Sequence, residues 1–317
     1  MNDLSQDSIQ AAARRISPYV RRTPVMDVSL SSHDMPINLK LELFQHTGSF
    51  KVRGAFNSVV GQTIPKAGIS AVSGGNHGAA VALVARTFGH KARIFVPGFA
   101  PPAKVELIRS FGAEIIQEGD DVAHVIGLWN DYVAKTGALS IHPYDAPATL
   151  QGQATLGLEW QEQTPNLDTV LVAVGGGGLI GGVASYFNAK VKVVAVETES
   201  TACLHLARAK GEPVNIKPSG VAADSLGANR IGTMAFSMIN TLIADSILVT
   251  DDSVLAAQSY LWKEARIVTE PGGATAFAAL LSGIYKPDKG ERVGVLVCGG
   301  NTDLAAFAKT VKQMPKA

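Results

Sequence analysis

Val170-Leu171-Val172-Ala173-Val174-Gly175-Gly176-Gly177-Gly178-Leu179-Ile180-Gly181-Gly182 is the run from which the fold reads outward. Five apolar residues stopped by glycine predict a buried strand, and the residues beyond the glycines predict a helix. A tight turn needs one or two glycines. Four in succession let backbone N–H groups close around an anion at the positive end of the helix.

The same handover recurs along the chain. Strands are predicted at 38–43, 69–72, 92–96, 113–117, 169–174, 192–197, 246–250 and 292–297. Helical spacing separates them, for example at 77–88, 103–111, 122–135, 253–266 and 274–282. Strand and helix in alternation predict parallel sheets covered on both faces, with ligands bound at the carboxyl ends of strands. Residues 208–213 read as a surface connection and 218–231 as a longer loop.

Composition narrows the function classes. The 317 residues are 46% hydrophobic, enough for a large core, and 28 basic against 27 acidic residues leave a net charge of +1. No charge block marks a nucleic-acid or membrane surface. Cys203 and Cys298 stand far apart, so neither a disulfide framework nor a CxxC metal site is expected. Residues 1–10 carry two aspartates and no apolar run, unlike a signal peptide, and a cytoplasmic protein is expected.

Three further motifs carry chemistry. Gly48-Ser49-Phe50-Lys51 opens a helical stretch, with Ser49 as the expected N-cap. That places Lys51 at the positive end of a helix dipole, where a cation is disfavoured. Drawn into a dry pocket, such a lysine sheds its proton and becomes a nucleophilic amine, as a Schiff base requires. Ser73-Gly74-Gly75-Asn76-His77-Gly78 follows a strand and offers donors for a carboxylate, while Asn76 can bond a phenolic oxygen. His77 is an acid/base candidate or, opening an apolar helix, a structural residue. Cys298-Gly299-Gly300-Asn301-Thr302-Asp303 ends the last strand; packing or ring contact suits Cys298 better than nucleophilic attack. Glu270 reads equally as a carboxylate at the lip of a glycine turn or as a surface helix cap. A rival reading comes from Gly176, Gly178 and Gly181, which satisfy GxGxxG with Glu197 about twenty residues on, as in a dinucleotide-binding oxidoreductase.

In this order, GSFK, SGGNHG, GGGGLIGG and CGGNTD resemble the fold type II pyridoxal-phosphate enzymes, above all the serine/threonine dehydratases (threonine ammonia-lyases) and serine racemases. The resemblance covers nearly the whole chain. It implies two open parallel-sheet αβα domains of the tryptophan-synthase-β type, with pyridoxal 5'-phosphate in the cleft between them. The large domain is expected from residues 1–67 and 145–317, the small one from 68–144. Lys51 then carries the Schiff base. Gly175, Gly176, Gly177 and Gly178, with Leu179, hold the phosphate; Phe50 packs on the ring, Asn76 holds its oxygen and Cys298 faces its nitrogen. Ser73, Gly74, Gly75, Asn76 and His77 receive the substrate carboxylate. A homodimer acting on a small amino acid is implied, without nucleic acid or membrane.

A neutral thiol opposite the ring nitrogen leaves a weaker electron sink, which favours prompt expulsion of a β leaving group. Racemases of this type resemble SSGNH, and here the second serine is Gly74, which has no group to move a proton. Their cation site is in doubt as well. Glu197 matches its first ligand, but Cys203 stands where an aspartate is expected and a hard cation prefers oxygen, so no metal is expected. The expected reaction is dehydration and deamination of L-threonine or L-serine. Serine racemisation and dehydration of hydroxyaspartate or phenylserine are the alternatives.

Overall fold

The computed structural model describes residues 4–119 and 121–313; residues 1–3 of the N-terminal reading above lie outside them. Helix α1 (Gln6–Ile16) precedes strands β1 (Val25–Val28) and β2 (Ile37–Leu41) and helix α2 (Lys51–Asn57). Then follow β3 (Ile69–Val72), α3 (Asn76–Thr87), β4 (Ala92–Val96), α4 (Pro102–Ser110), β5 (Glu114–Gln117), α5 (Val122–Thr136) and β6 (Leu139–Ser140). Next come α6 (Pro147–Gln163), β7 (Thr169–Ala173), α7 (Gly178–Phe187), β8 (Lys192–Thr198), α8 (Cys203–Lys210), α9 (Ala223–Leu226) and α10 (Thr233–Leu242). The described chain finishes with β9 (Asp245–Val249), α11 (Asp251–Ala265), α12 (Pro271–Leu281), β10 (Val293–Val297) and α13 (Leu304–Gln313).

Two sheets result. One runs β1-β2-β10-β7-β8-β9, the other β5-β4-β3-β6. Every pairing is parallel except β1 with β2, an antiparallel edge that the sequence reading did not anticipate. All residues of β2, β7 and β10 are buried, as central strands covered on both faces must be. The strand expected at 38–43 stops at Leu41, because Glu42–Phe44 turns into a short 3-10 helix that sends the Glu42 carboxylate inward to Arg53.

Each sheet has its own apolar core, and α2 contributes Val52, Ala55 and Phe56 to the core of the four-stranded one. Its other side meets α6 closely. A Cβ on Gly152 would lie 2.6 Å from the Arg53 carbonyl oxygen, and one on Gly182 would lie 2.6 Å from Ala154 N. Glycine therefore lets α2, α6 and α7 approach backbone to backbone. With Trp160 and Leu156 fully buried, α6 lacks the one-sided pattern of a surface helix. No helix among the described residues is long and apolar enough to cross a membrane.

Candidate active site

The glycine turns after β3, β7 and β10 and the start of α2 meet at the carboxyl ends of the strands. Together they enclose a cavity of about 570 Å³. Phe50, Lys51, Ser73, Gly74, Gly75, Asn76, His77, Gly175, Gly176, Gly177, Gly178, Leu179 and Cys298 all line it. Residues spread over more than two hundred positions thus share one wall.

Lys51 is placed by tertiary contacts rather than by its own cap. Phe50, not Ser49, occupies the N-cap position, and the buried Ser49 hydroxyl has no hydrogen-bond partner. The turn after β10 holds this segment instead. Phe50 N–H donates to the Cys298 carbonyl (3.2 Å) and Gly300 N–H to the Gly48 carbonyl (2.9 Å). The Asn301 amide donates to the Thr47 carbonyl (2.7 Å) and to Asn76 Oδ1 (2.8 Å), which ties the lysine turn to the asparagine loop. Lys51 Nζ donates to the Pro143 carbonyl at 2.8 Å and lies 5.2 Å from the Phe50 ring centroid. Burial pushes its pKa down to about 8 against the pull of Cys298 and Glu270. A neutral amine is therefore available near physiological pH.

Around the asparagine loop, Ser73 Oγ accepts from Gly75 N–H (3.2 Å), and the loop leads into the first turn of α3. The His77 ring is buried with Nε2 2.9 Å from the Ile141 carbonyl, and burial brings its pKa down to about 3. That neutral ring props the loop against the end of β6. Asn76 Nδ2 donates to Glu270 Oε1 at 2.5 Å, leaving its second N–H for a ligand. Glu270 is not the surface cap considered above. It is buried, and Lys104 Nζ bridges its Oε2 (2.9 Å) to Asp224 Oδ2 (3.0 Å). The sequence reading missed Lys104, Asp224 and the inward turn of Glu270, because the three come from α4, α9 and the start of α12.

Tyr144 packs behind the tetraglycine turn. A Cβ on Gly176 would sit 2.3 Å from the Tyr144 ring, and one on Gly178 2.7 Å from Tyr144 Cα. Gly177 has a φ of +90°, and its Cβ would meet Ile231 at 2.6 Å. Gly176, Gly177 and Gly178 are thus demanded by what surrounds them, while the first amides of α7 have no partner within the helix. His142 Nδ1 accepts from Tyr144 N–H (3.3 Å) and Asp145 N–H (2.8 Å), which fixes the turn bearing Tyr144. Asp145 accepts from the backbone of Thr233, Met234 and Ala235 at the start of α10. Segment 218–231, read above as a loop, contains α9 and supplies Ala223 to Asn229 to the cavity wall.

Cys298 Sγ donates to the Gly272 carbonyl at 3.5 Å, and burial pushes its pKa up to about 12. It presents a neutral thiol, not a nucleophile. Glu197 is sealed in the core, where its carboxylate accepts from Leu204 N–H (2.8 Å) and His205 N–H (2.7 Å) at the start of α8. It is spent on capping a helix and is not presented to a ribose, against the dinucleotide reading. The neighbouring Cys203 thiol donates to the Gly175 carbonyl (3.1 Å).

Residues 16–299 match the family profile described as pyridoxal-phosphate dependent enzyme. The chain belongs to the pyridoxal-phosphate-dependent enzyme family. It is 37% identical over 320 residues to the phenylserine dehydratase of Ralstonia pickettii, covering 97% of this chain and 95% of that protein. It is 36% identical over 321 residues to the L-threonine ammonia-lyase of Thermotoga maritima, covering 98% of this chain and 79% of that one. Among solved structures, maize serine racemase superposes with a TM-score of 0.89 at 34% identity, over 97% of this chain and 96% of that chain. The fold is therefore fold type II, with the parallel sheets read from the sequence.

The cavity fits pyridoxal phosphate on its own chemistry. It offers one amine drawn toward neutrality, a glycine cradle at a helix start for a phosphate, an amide N–H for a ring oxygen and a neutral thiol.

Proposed function

We propose that the protein catalyses β-elimination on a β-hydroxy-L-amino acid: water leaves to give an enamine, whose imine tautomer takes up water and releases ammonia to leave a 2-oxo acid. The observation that carries this reading is Lys51, an amine with its pKa pushed down to about 8, facing the tetraglycine start of α7 across one cavity. Pyridoxal phosphate, when bound, supplies the electron sink that makes the substrate Cα–H acidic. Lys51, Phe50, Asn76, Cys298 and the Gly175–Leu179 turn are the residues that hold it. Ser73 and the first amides of α3, with Gly74, Gly75, Asn76 and His77 around them, receive the α-carboxylate, and the positive end of that helix favours an anion there. Lys51, free of its carbonyl partner, takes the Cα proton at Nζ.

Elimination is favoured over racemisation because Gly74 has no side chain to return a proton from the opposite face. A Cβ at that position would lie 2.5 Å from Ala100 Cβ, so the backbone there is packed as glycine. The neutral Cys298 thiol does not protonate a ring nitrogen and so does not prolong a carbanion, which suits elimination better than transamination. The strand membership of the two sheets supports assigning 1–67 with 145–317 to a large domain and 68–144 to a small one, while Ile16 and α2 pack into the small domain's core. A homodimer, on the family resemblance, and a cytoplasmic location, on the composition, complete this reading.

The test is 2-oxo acid release from L-threonine, L-serine and L-threo-3-phenylserine by the purified holoenzyme, beside its visible spectrum. Turnover of at least one, abolished in Lys51→Ala, is expected. Substantial turnover by Lys51→Ala removes the assignment.

A further inference from the structure

The cavity wall is of two kinds. Lys51, Ser73 and the glycine turns make part of it polar. The segment after β4 and helix α5 add Phe99, Ile126 and Trp129 to it. Phe99 is 64% exposed and Ile126 40% exposed. Of α5, only Val125 is buried, although the helix carries several large apolar residues. Leaving such side chains facing water costs about 25 cal/mol per Å² of apolar surface, which a substrate group that covers them recovers. The hydrogen of serine or the methyl of threonine is too small to cover three such side chains.

Two features narrow the group that does. Of the three wall side chains, Phe99 and Trp129 are themselves aromatic, and a substrate ring packs against rings in offset or edge-to-face geometry that an alkyl chain lacks. Among the described residues no arginine lines the cavity, and the carboxylates on its wall, Asp224 and Glu270, already share Lys104, which leaves that cation taken up rather than free for a second substrate carboxylate. The wall is tied to the carboxylate loop as well, because the absent Cβ of Gly74 is what lets Ala100, next to Phe99, pack against it.

We propose that Phe99, Ile126 and Trp129 form an aryl subsite that selects β-aryl-β-hydroxy amino acids over threonine, serine and hydroxyaspartate. The proposal rests on the elimination reading above and names its substrate class. Its test is the ratio of kcat/KM for L-threo-3-phenylserine to that for L-threonine in the holoenzyme. The ratio should exceed about ten, the scale of apolar pocket discrimination. It should fall about tenfold or more in Phe99→Ala and in Ile126→Ala, two partly exposed positions on different elements, with unfolding temperature checked for each. A wild-type preference for threonine, or ratios unmoved in both variants, overturns it. Binding supplies the independent readout: L-phenylalanine, which has no leaving group, should bind more tightly than L-alanine and quench tryptophan fluorescence, with the quench lost in Trp129→Phe. If no amino acid is turned over, the elimination reading fails. The subsite then stands on tighter binding of L-phenylalanine and falls without it.

Discussion

Replacing Arg53 with methionine removes the cation from a buried charge cluster just behind Lys51. Arg53 Nε and Nη2 clasp the two oxygens of Glu42 at 2.9 and 2.7 Å, and Nη2 also reaches Glu159 at 2.9 Å. Glu42 is fully buried, and its remaining side-chain hydrogen bond comes from the Thr23 hydroxyl (2.6 Å). Glu159 keeps Lys40, so the loss falls mainly on Glu42. A buried carboxylate stripped of its partner costs ~3–5 kcal/mol, while methionine refills most of the volume. At a few degrees per kcal/mol for a chain this long, the unfolding temperature should drop by roughly 6–12 °C. Calorimetry of the single variant and of Glu42→Gln/Arg53→Met measures it. The double variant should recover part of the loss, since it removes the orphaned charge. A drop within about 2 °C of wild type, or a double variant no more stable than the single one, would refute the argument. Lys51 lies two residues before Arg53 on the same helix, so oxo acid release should fall as well.

Further outcomes follow from the site. The reaction of the cofactor-free Lys51 amine with pyridoxal phosphate, trapped by borohydride, should accelerate as pH rises through about 8. The sign follows from the depressed pKa: the amine sheds its proton above that value, and a midpoint near the ordinary 10.5 would show that burial does not act as described. Gly176→Ala should force the Tyr144 ring away and weaken cofactor binding at a stability cost of ~1–3 kcal/mol, read from absorbance titration and melting. Gly74→Ser has no room beside Ala100, so it should lower stability by ~1–3 kcal/mol without producing D-amino acids. Racemisation by that variant at wild-type stability would count against the steric argument. Lys104→Met leaves Glu270 and Asp224 without the cation between them; a loss of ~3–5 kcal/mol is expected by melting, and an unchanged melt would show that the bridge contributes nothing.

The sequence by itself determined whatever is local. Each strand, its glycine turn and the next helix are contiguous, so alternation and glycine placement revealed the parallel sheets and the loops at 73–77 and 175–178 that line the cavity. Lys51, Asn76 and Cys298 were legible because each sits inside such a handover. The tertiary structure decided what depends on residues far apart in the chain. Ser49 has the composition of a cap, yet Phe50 takes the position because the 298–301 turn clasps the segment. Glu270 read equally as a carboxylate at a turn's lip or as a surface cap until α4 and α9 brought Lys104 and Asp224 to it. The antiparallel β1 has no periodicity to announce it and exists only because β2 offers an edge. The apolar wall of Phe99, Ile126 and Trp129 is likewise invisible one residue at a time. It arises where separate elements face one cavity, and side-chain proximity across such distances is a property of packing that no local pattern encodes.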